Sequence, residues 1–329
     1  MRVLWKPGFA LAVLGVAAIL LSRPGAAELF NRDRTESIYV VLKTTGRHME
    51  FWQIVRAGIQ AAATEYDVDP RIVGPRWEKN VDKQIEIFNE VIEQEPDGVL
   101  LAASDYNELV PPAEKAAARG IELVTLDSAL NSDVPTSFVA TDNVEAGRKA
   151  GTEIDRLVPE GEKIAVISHI RGVATAIDRE EGVRSVLEKE RPGNLLPTYY
   201  TQNEPERGEE IVRRLLREYG DLGGIVALNE NSTVGVGRAL QALGKAGEIK
   251  AVGFDNSREE IEYLEDGVVQ ALVVQKPFNM GYLGIKTLIE ILRGEQVPEV
   301  IHTESVLVRK EDMFTPENQK LLFPLVRSR

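Results

Sequence analysis

From Ile38 almost to the C-terminal end, short apolar runs alternate with amphipathic stretches, and no other feature of the chain constrains its fold as strongly. Strand-like runs in the first half are Ile38 to Leu42, Arg71 to Val73, Gly98 to Ala102 and Glu122 to Leu126, with helical patterns at 51–66, 81–94 and 108–119 between them. In the first helix Ile54, Val55, Gly58, Ile59 and Ala62 share one face, whereas Arg56 and Glu65 fall elsewhere, as a period of 3.6 requires. The second half repeats the scheme, with strands near 163–168, 196–201, 224–228, 251–254 and 269–274 and helices near 143–157, 178–189, 207–218, 231–243 and 279–293. Such alternation is the mark of parallel-sheet α/β architecture. With 329 residues the chain exceeds one ordinary core, so two lobes are expected. No Pro-, Gly- or Ser-rich tether separates the halves, which suits short hinge crossings.

Ligands of open parallel sheets sit beyond the carboxyl ends of the strands. Those positions are strongly polar here: Lys43, Thr44 and Thr45 after the first run, Ser104 and Asp105 after the third, Asp127 and Ser128 after the fourth. The second half places Asn229 and Glu230, Asp255 and Asn256, and Gln275 at the matching points. A fixed carboxylate or amide can hold one or two ligand hydroxyls, and a sugar or polyol is the natural complement. Taken singly, Asp127 or Asp255 fits a turn or helix cap equally well. Phe51 and Trp52, and further off Trp77 and Tyr106, can supply apolar faces to the C–H side of a sugar ring.

The formal net charge of −13 offers no broad basic field for a phosphate backbone, so nucleic acid is not expected as a partner. Cysteine is absent, which removes disulfides, thiolate metal sites and a cysteine nucleophile. No cofactor is called for: Gly235 to Gly237 lies inside a helical pattern rather than in a strand-turn-helix phosphate motif, and His48, His169 and His302 lack metal-ligand spacing. Arg2 and Lys6 precede the apolar run Phe9 to Leu21, followed by Gly25, Ala26 and Ala27. This reads as an export signal over residues 1–27, with cleavage after Ala27, or as an uncleaved membrane anchor. Either places the remainder in the periplasm or on the extracytoplasmic face of the membrane.

Several stretches carry a family resemblance: FWQIVRAG (Phe51 to Gly58), DGVLLAASD (Asp97 to Asp105), GIELVTLDS (Gly120 to Ser128), TDNVEAGRKAG (Thr141 to Gly151), DREEGVRS (Asp178 to Ser185), ALNENSTVGVGRALQALGKAG (Ala227 to Gly247), VGFDNS (Val252 to Ser257) and VVQKPFNMGYLG (Val273 to Gly284). In order and spacing they resemble the type I periplasmic sugar-binding proteins, nearest the ribose-binding branch, over roughly residues 37 to 310. The resemblance implies two Rossmann-like α/β lobes with parallel sheets and three hinge crossings. Residues 37–141 plus 277–304 would make the N-terminal lobe, 142–276 plus 305–312 the C-terminal lobe, and 313–329 a tail. It implies ligand contacts at Phe51, Trp52, Asp127, Asn229, Asp255 and Gln275, with Lys43 and Thr141 at similar positions, and Asp105 and Asn107 compensating for an asparagine that such relatives carry in the strand-three loop and that Ala102 or its neighbours replace here. Where such relatives carry arginines, this chain has Ser128 and Ile177, so both guanidinium donors are expected to be missing. The implied function is a monomeric solute receptor that delivers a small sugar or polyol to a membrane ABC transporter permease. The alternative is a ligand-sensing receptor for a two-component histidine kinase, and a sugar-modifying enzyme stands behind both.

Overall fold

The alternating pattern folds into two six-stranded sheets in a computed structural model that describes residues 36–47 and 49–323. The expected signal segment at residues 1–27 lies outside the described residues. The first sheet is built from β1 (Ile38–Val41), β2 (Arg71–Val73), β3 (Gly98–Leu101), β4 (Glu122–Leu126) and β5 (Ser137–Thr141). Helices α1 (Glu50–Tyr66), α2 (Val81–Ile92) and α3 (Val110–Ala118) connect its strands. The chain then crosses to the second sheet through α4 (Asn143–Leu157), β6 (Lys163–Ser168), α5 (Ala174–Glu190), β7 (Leu195–Tyr200) and α6 (Pro205–Glu218). It continues with β8 (Leu222–Ala227), α7 (Glu230–Ala242), β9 (Lys250–Phe254), α8 (Arg258–Asp266) and β10 (Ala271–Val274).

After β10 the chain returns to the first sheet with α9 (Pro277–Leu292) and β11 (Val300–Thr303), then crosses a third time to β12 (Val306–Arg309). The sheet orders are therefore β11-β5-β4-β3-β1-β2 and β12-β10-β9-β8-β6-β7, every pairing parallel except β10 with β12. Two parallel-sheet lobes linked by three crossings are thus present. The sequence reading had no strand at β5, β11 or β12: β11 and β12 are short edge strands with partly exposed residues, and their hydrophobic signal is correspondingly weak. Helix α5 begins at Ala174, four residues before the expected start, because its first turn carries no charge to reveal it. Residues 313–323, expected as part of a tail, include α10 (Pro316–Leu322), and both Met313 and Leu322 are buried in the core of the second sheet.

Central strands such as β1, β3, β8 and β10 are buried on both faces, as parallel sheets covered by helices require. Val40 and Leu42 share one core with α1 and α9, while Tyr39 and Val41 point into another with α2 and α3. Close helix pairs use glycine in both lobes. A Cβ at Gly58 of α1 would collide with the Phe278 carbonyl of α9, and one at Gly182 of α5 with the Val144 carbonyl of α4.

Candidate functional site

The carboxyl ends of both sheets face a common cavity with about 290 Å³ of empty space, part of it open to solvent. From the first lobe, Lys43 follows β1 and Asp127 follows β4; Lys43 Nζ donates to Asp127 Oδ2 at 2.7 Å, with both side chains buried. Asp127 has φ 64°, a left-handed conformation rare outside glycine, while its amide still donates to Val139 O at 2.9 Å. Phe51 and Trp52 in the first turn of α1 form an edge-to-face pair with ring centroids 5.1 Å apart. Lys43 Nζ lies 5.9 Å from the Trp52 ring centroid, so the ammonium and the indole shape one wall together.

The second lobe mirrors this arrangement. Asp255 follows β9 with φ 79°, and its amide donates to Val273 O at 3.0 Å. Its carboxylate accepts from Gln275 Nε2 at 2.6 Å and from the Glu230 backbone amide at 2.9 Å. Gln275 Oε1 in turn accepts from Thr141 Oγ1 at 2.9 Å, so one amide ties the first crossing to the second. Asn229 caps α7 by accepting from Ser232 N at 3.1 Å and donates its amide to Asn203 Oδ1 at 2.7 Å.

Seven of the nine sequence-derived site residues therefore line the cavity: Lys43, Phe51, Trp52, Asp127, Asn229, Asp255 and Gln275. Thr141 stands one hydrogen bond behind Gln275. Asp105 is not brought to the cavity, because its Oδ1 closes its own loop by accepting from the amides of Asn107 and Glu108 at 2.8 and 2.9 Å.

The structure adds lining residues that the sequence reading missed, among them Glu78, His169 and Arg179. His169 directly follows β6, so the strand-end rule alone would have found it. Glu78 sits in the loop after β2, outside any strand-end position, and no local signal marks it. Arg179 overturns the expectation that guanidinium donors are missing. Ile177 is 44% exposed, but two residues on Arg179 is buried, donating to Asn143 Oδ1 at 2.9 Å and Leu228 O at 2.8 Å with its guanidinium 4.7 Å from the Phe254 ring centroid. In the charged DREEG stretch Arg179 resembles a solvated residue, and only packing shows that it turns inward.

Burial shapes the charges. Glu78 is pushed up to about 7 by desolvation, against the pull of Lys43. Desolvation also raises Asp255, with Arg179 opposing, and drives His169 well below its usual range, helped by Arg179 and Lys43. His169 Nε2 lies 3.2 Å from Thr175 Oγ1, and Nδ1 has no hydrogen-bond partner in the protein. The lobes are drawn together around the cavity. Glu230 accepts from the amides of Glu50 and Phe51, both at 3.1 Å, at the N-terminus of α1; Tyr106 N donates to Gly172 O at 2.9 Å; and Lys79 pairs with Glu204.

A polar cavity between two parallel α/β lobes on three crossings defines a two-lobed ligand receptor. Residues 38–296 match the periplasmic binding protein domain, and the chain belongs to that family. It is 27% identical over 283 residues to the D-allose-binding periplasmic protein of Escherichia coli, covering 82% of this chain and 90% of that one. The ribose import binding protein of the same organism is 25% identical over 90% of this chain and 97% of its own length. Among solved structures, a solute binding protein of an ABC transporter from Agrobacterium vitis with bound D-fucose superposes with a TM-score of 0.82 at 33% identity, covering 87% of this chain and 99% of that one. A carbohydrate transporter solute binding protein from Agrobacterium radiobacter in complex with D-arabinose gives a TM-score of 0.84 at 26% identity, covering 88% and 99%.

Proposed function

We propose that this chain is an extracytoplasmic solute-binding protein that closes on a small sugar or polyol and presents it, unchanged, to an ABC transporter. The observation that carries this reading is the convergence of Asp127 and Asp255, one from each lobe, on a cavity that also holds the Trp52 ring, the Arg179 guanidinium and the Gln275 amide. Carboxylates accept from sugar hydroxyls, guanidinium and ammonium groups donate to them, and the indole covers the apolar ring face. The buried His169 Nδ1, which has no protein partner, supplies one more polar contact. Lys43, Phe51, Trp52, Asn229 and Gln275 complete the proposed contact set, with Thr141 orienting Gln275.

The lobes of this reading are residues 37–141 plus 277–304 and residues 142–276 plus 305–312. Ligand contacts drawn from both favour the closed state, and the membrane partner recognises that state. Residues 1–27 act as the export signal or anchor that places the receptor outside the cytoplasmic membrane.

Thermal unfolding of the purified protein against pentoses, hexoses and cyclitols tests the reading, since a ligand that binds only the folded state raises its stability. A rise with at least one compound, recovered chemically intact after incubation, is expected. No rise with any of them removes the sugar reading, and a converted ligand replaces the receptor with an enzyme.

A further inference from the structure

Beside this inner cavity lies a second space that the reading above leaves unused. It is a groove with about 950 Å³ of empty space, walled by Trp77, Glu78 and Lys79 on the first lobe and by Asn203, Glu204 and Arg238 on the second. The two spaces share Glu78 as a lining residue. Asn203 Nδ2 donates to Glu78 Oε2, while Asn203 Oδ1 accepts from Asn229, a residue of the inner cavity. One polar relay, Asn229 to Asn203 to Glu78, thus runs along the boundary.

Two further features mark the groove as built for a ligand. Gln202 and Asn203 are consecutive non-glycine residues with φ 56° and 61°, and this turn after β7 holds the Asn203 amide against Glu78. Such backbone conformations are uncommon and cluster at sites where a side chain must be held in place. On the opposite wall Trp77 is 42% exposed, with the Arg76 guanidinium 5.2 Å from its ring centroid. A large aromatic ring on a polar rim is suited to stack against the C–H face of a sugar.

We infer that the groove is a second sugar subsite, so that the ligand is a neutral disaccharide or glycoside whose inner ring occupies the inner cavity and whose outer unit lies against Trp77. This inference rests on the sugar-receptor reading of the inner cavity. The glycosidic link would pass between Glu78 and Asn203, where the amide and the carboxyl exchange their mutual hydrogen bond for bonds to the ligand. Charge selects the class. Lys79 pairs with Glu204, and Arg238 with Glu206 and Glu259, so the basic groups of the groove are already matched by carboxylates, which gives no advantage to a phosphorylated outer unit.

Calorimetric titration of the purified protein with monosaccharides, and with disaccharides and alkyl glycosides containing them, tests this. At least one disaccharide or glycoside is expected to bind as tightly as its parent monosaccharide or more so. Trp77→Ala should weaken that ligand by about tenfold, the loss of one stacked ring, and leave the monosaccharide within about twofold. Trp77→Phe, which keeps an aromatic face, should restore most of the difference, which a general folding defect would not allow. Monosaccharide binding with every disaccharide and glycoside excluded overturns the second subsite alone, as does an equal loss for both ligand sizes in Trp77→Ala. Failure of every sugar to bind overturns the receptor reading and the subsite with it.

Discussion

Asp127 and Asp255 occupy the same place in two different lobes and do different chemistry there. Each follows a parallel strand, each adopts a left-handed backbone, and each still donates its amide to the neighbouring strand, to Val139 O and Val273 O respectively. The first lobe then neutralises its aspartate with a cation, the Lys43 ammonium at 2.7 Å. The second holds its aspartate by hydrogen bonds from neutral donors, the Gln275 amide and the Glu230 backbone, with the Arg179 cation acting on it through space and not by an ion pair. A repeated fold thus fixes where the carboxylates stand, while neighbouring side chains set how strongly each is bound before a ligand arrives. Removing a partner should therefore have unequal consequences in the two lobes.

The largest expected effect is that of Lys43→Met, which leaves Asp127 as an uncompensated buried charge beside Glu78. A loss of about 3–5 kcal/mol in urea unfolding is expected, together with loss of ligand binding. Gln275→Leu removes a neutral partner and should cost about 1–3 kcal/mol. Equal losses would erase the distinction between the lobes. The helix pairs make the converse prediction, because both lobes use the same packing device. Gly58→Ala and Gly182→Ala should each cost about 1–3 kcal/mol by overpacking, and a clear difference between them would show that one helix pair can yield.

A further expected effect is one of pH. Glu230 bridges the lobes and is raised from the ordinary 4.5 to about 8, mainly by burial, and Glu78 is raised to about 7. A raised carboxyl pKa means that the folded form holds a proton that the unfolded chain releases. The stability these groups contribute is therefore complete below about pH 4.5 and is lost as the pH climbs towards 8. Melting temperatures should fall over that interval, and Glu230→Gln should flatten the fall. An unchanged slope in Glu230→Gln would remove that residue from the effect.

Much of the candidate site is legible in the sequence because parallel sheets place ligands at strand ends: Lys43, Asp127, Asn229, Asp255 and Gln275 lie on the cavity for that reason, while Phe51 and Trp52 reach it from the first turn of α1. The sequence also revealed the central strands, whose unbroken apolar runs are required by burial on both faces. Arg179 was illegible because a charged residue in a charged helix looks solvated until Asn143, Leu228 and Phe254 are seen to enclose it. Glu78 and Asn203 were hidden for another reason: each lies in a loop, and their meeting across the lobes depends on the closed arrangement. The same strand-end rule points to Asp105, which lies off the cavity because an aspartate in a loop can satisfy its own backbone.

The central claim is that both lobes grip one ligand, and calorimetric titration of Asp127→Asn and Asp255→Asn with the sugar that stabilises the wild-type protein tests it most directly. Asparagine tolerates the left-handed backbone and keeps the shape, so only the carboxylate is lost. The account predicts that each variant stays folded and binds at least about tenfold more weakly, the loss of one charged hydrogen bond. Wild-type affinity in either variant would place the ligand on one lobe only and contradict the claim.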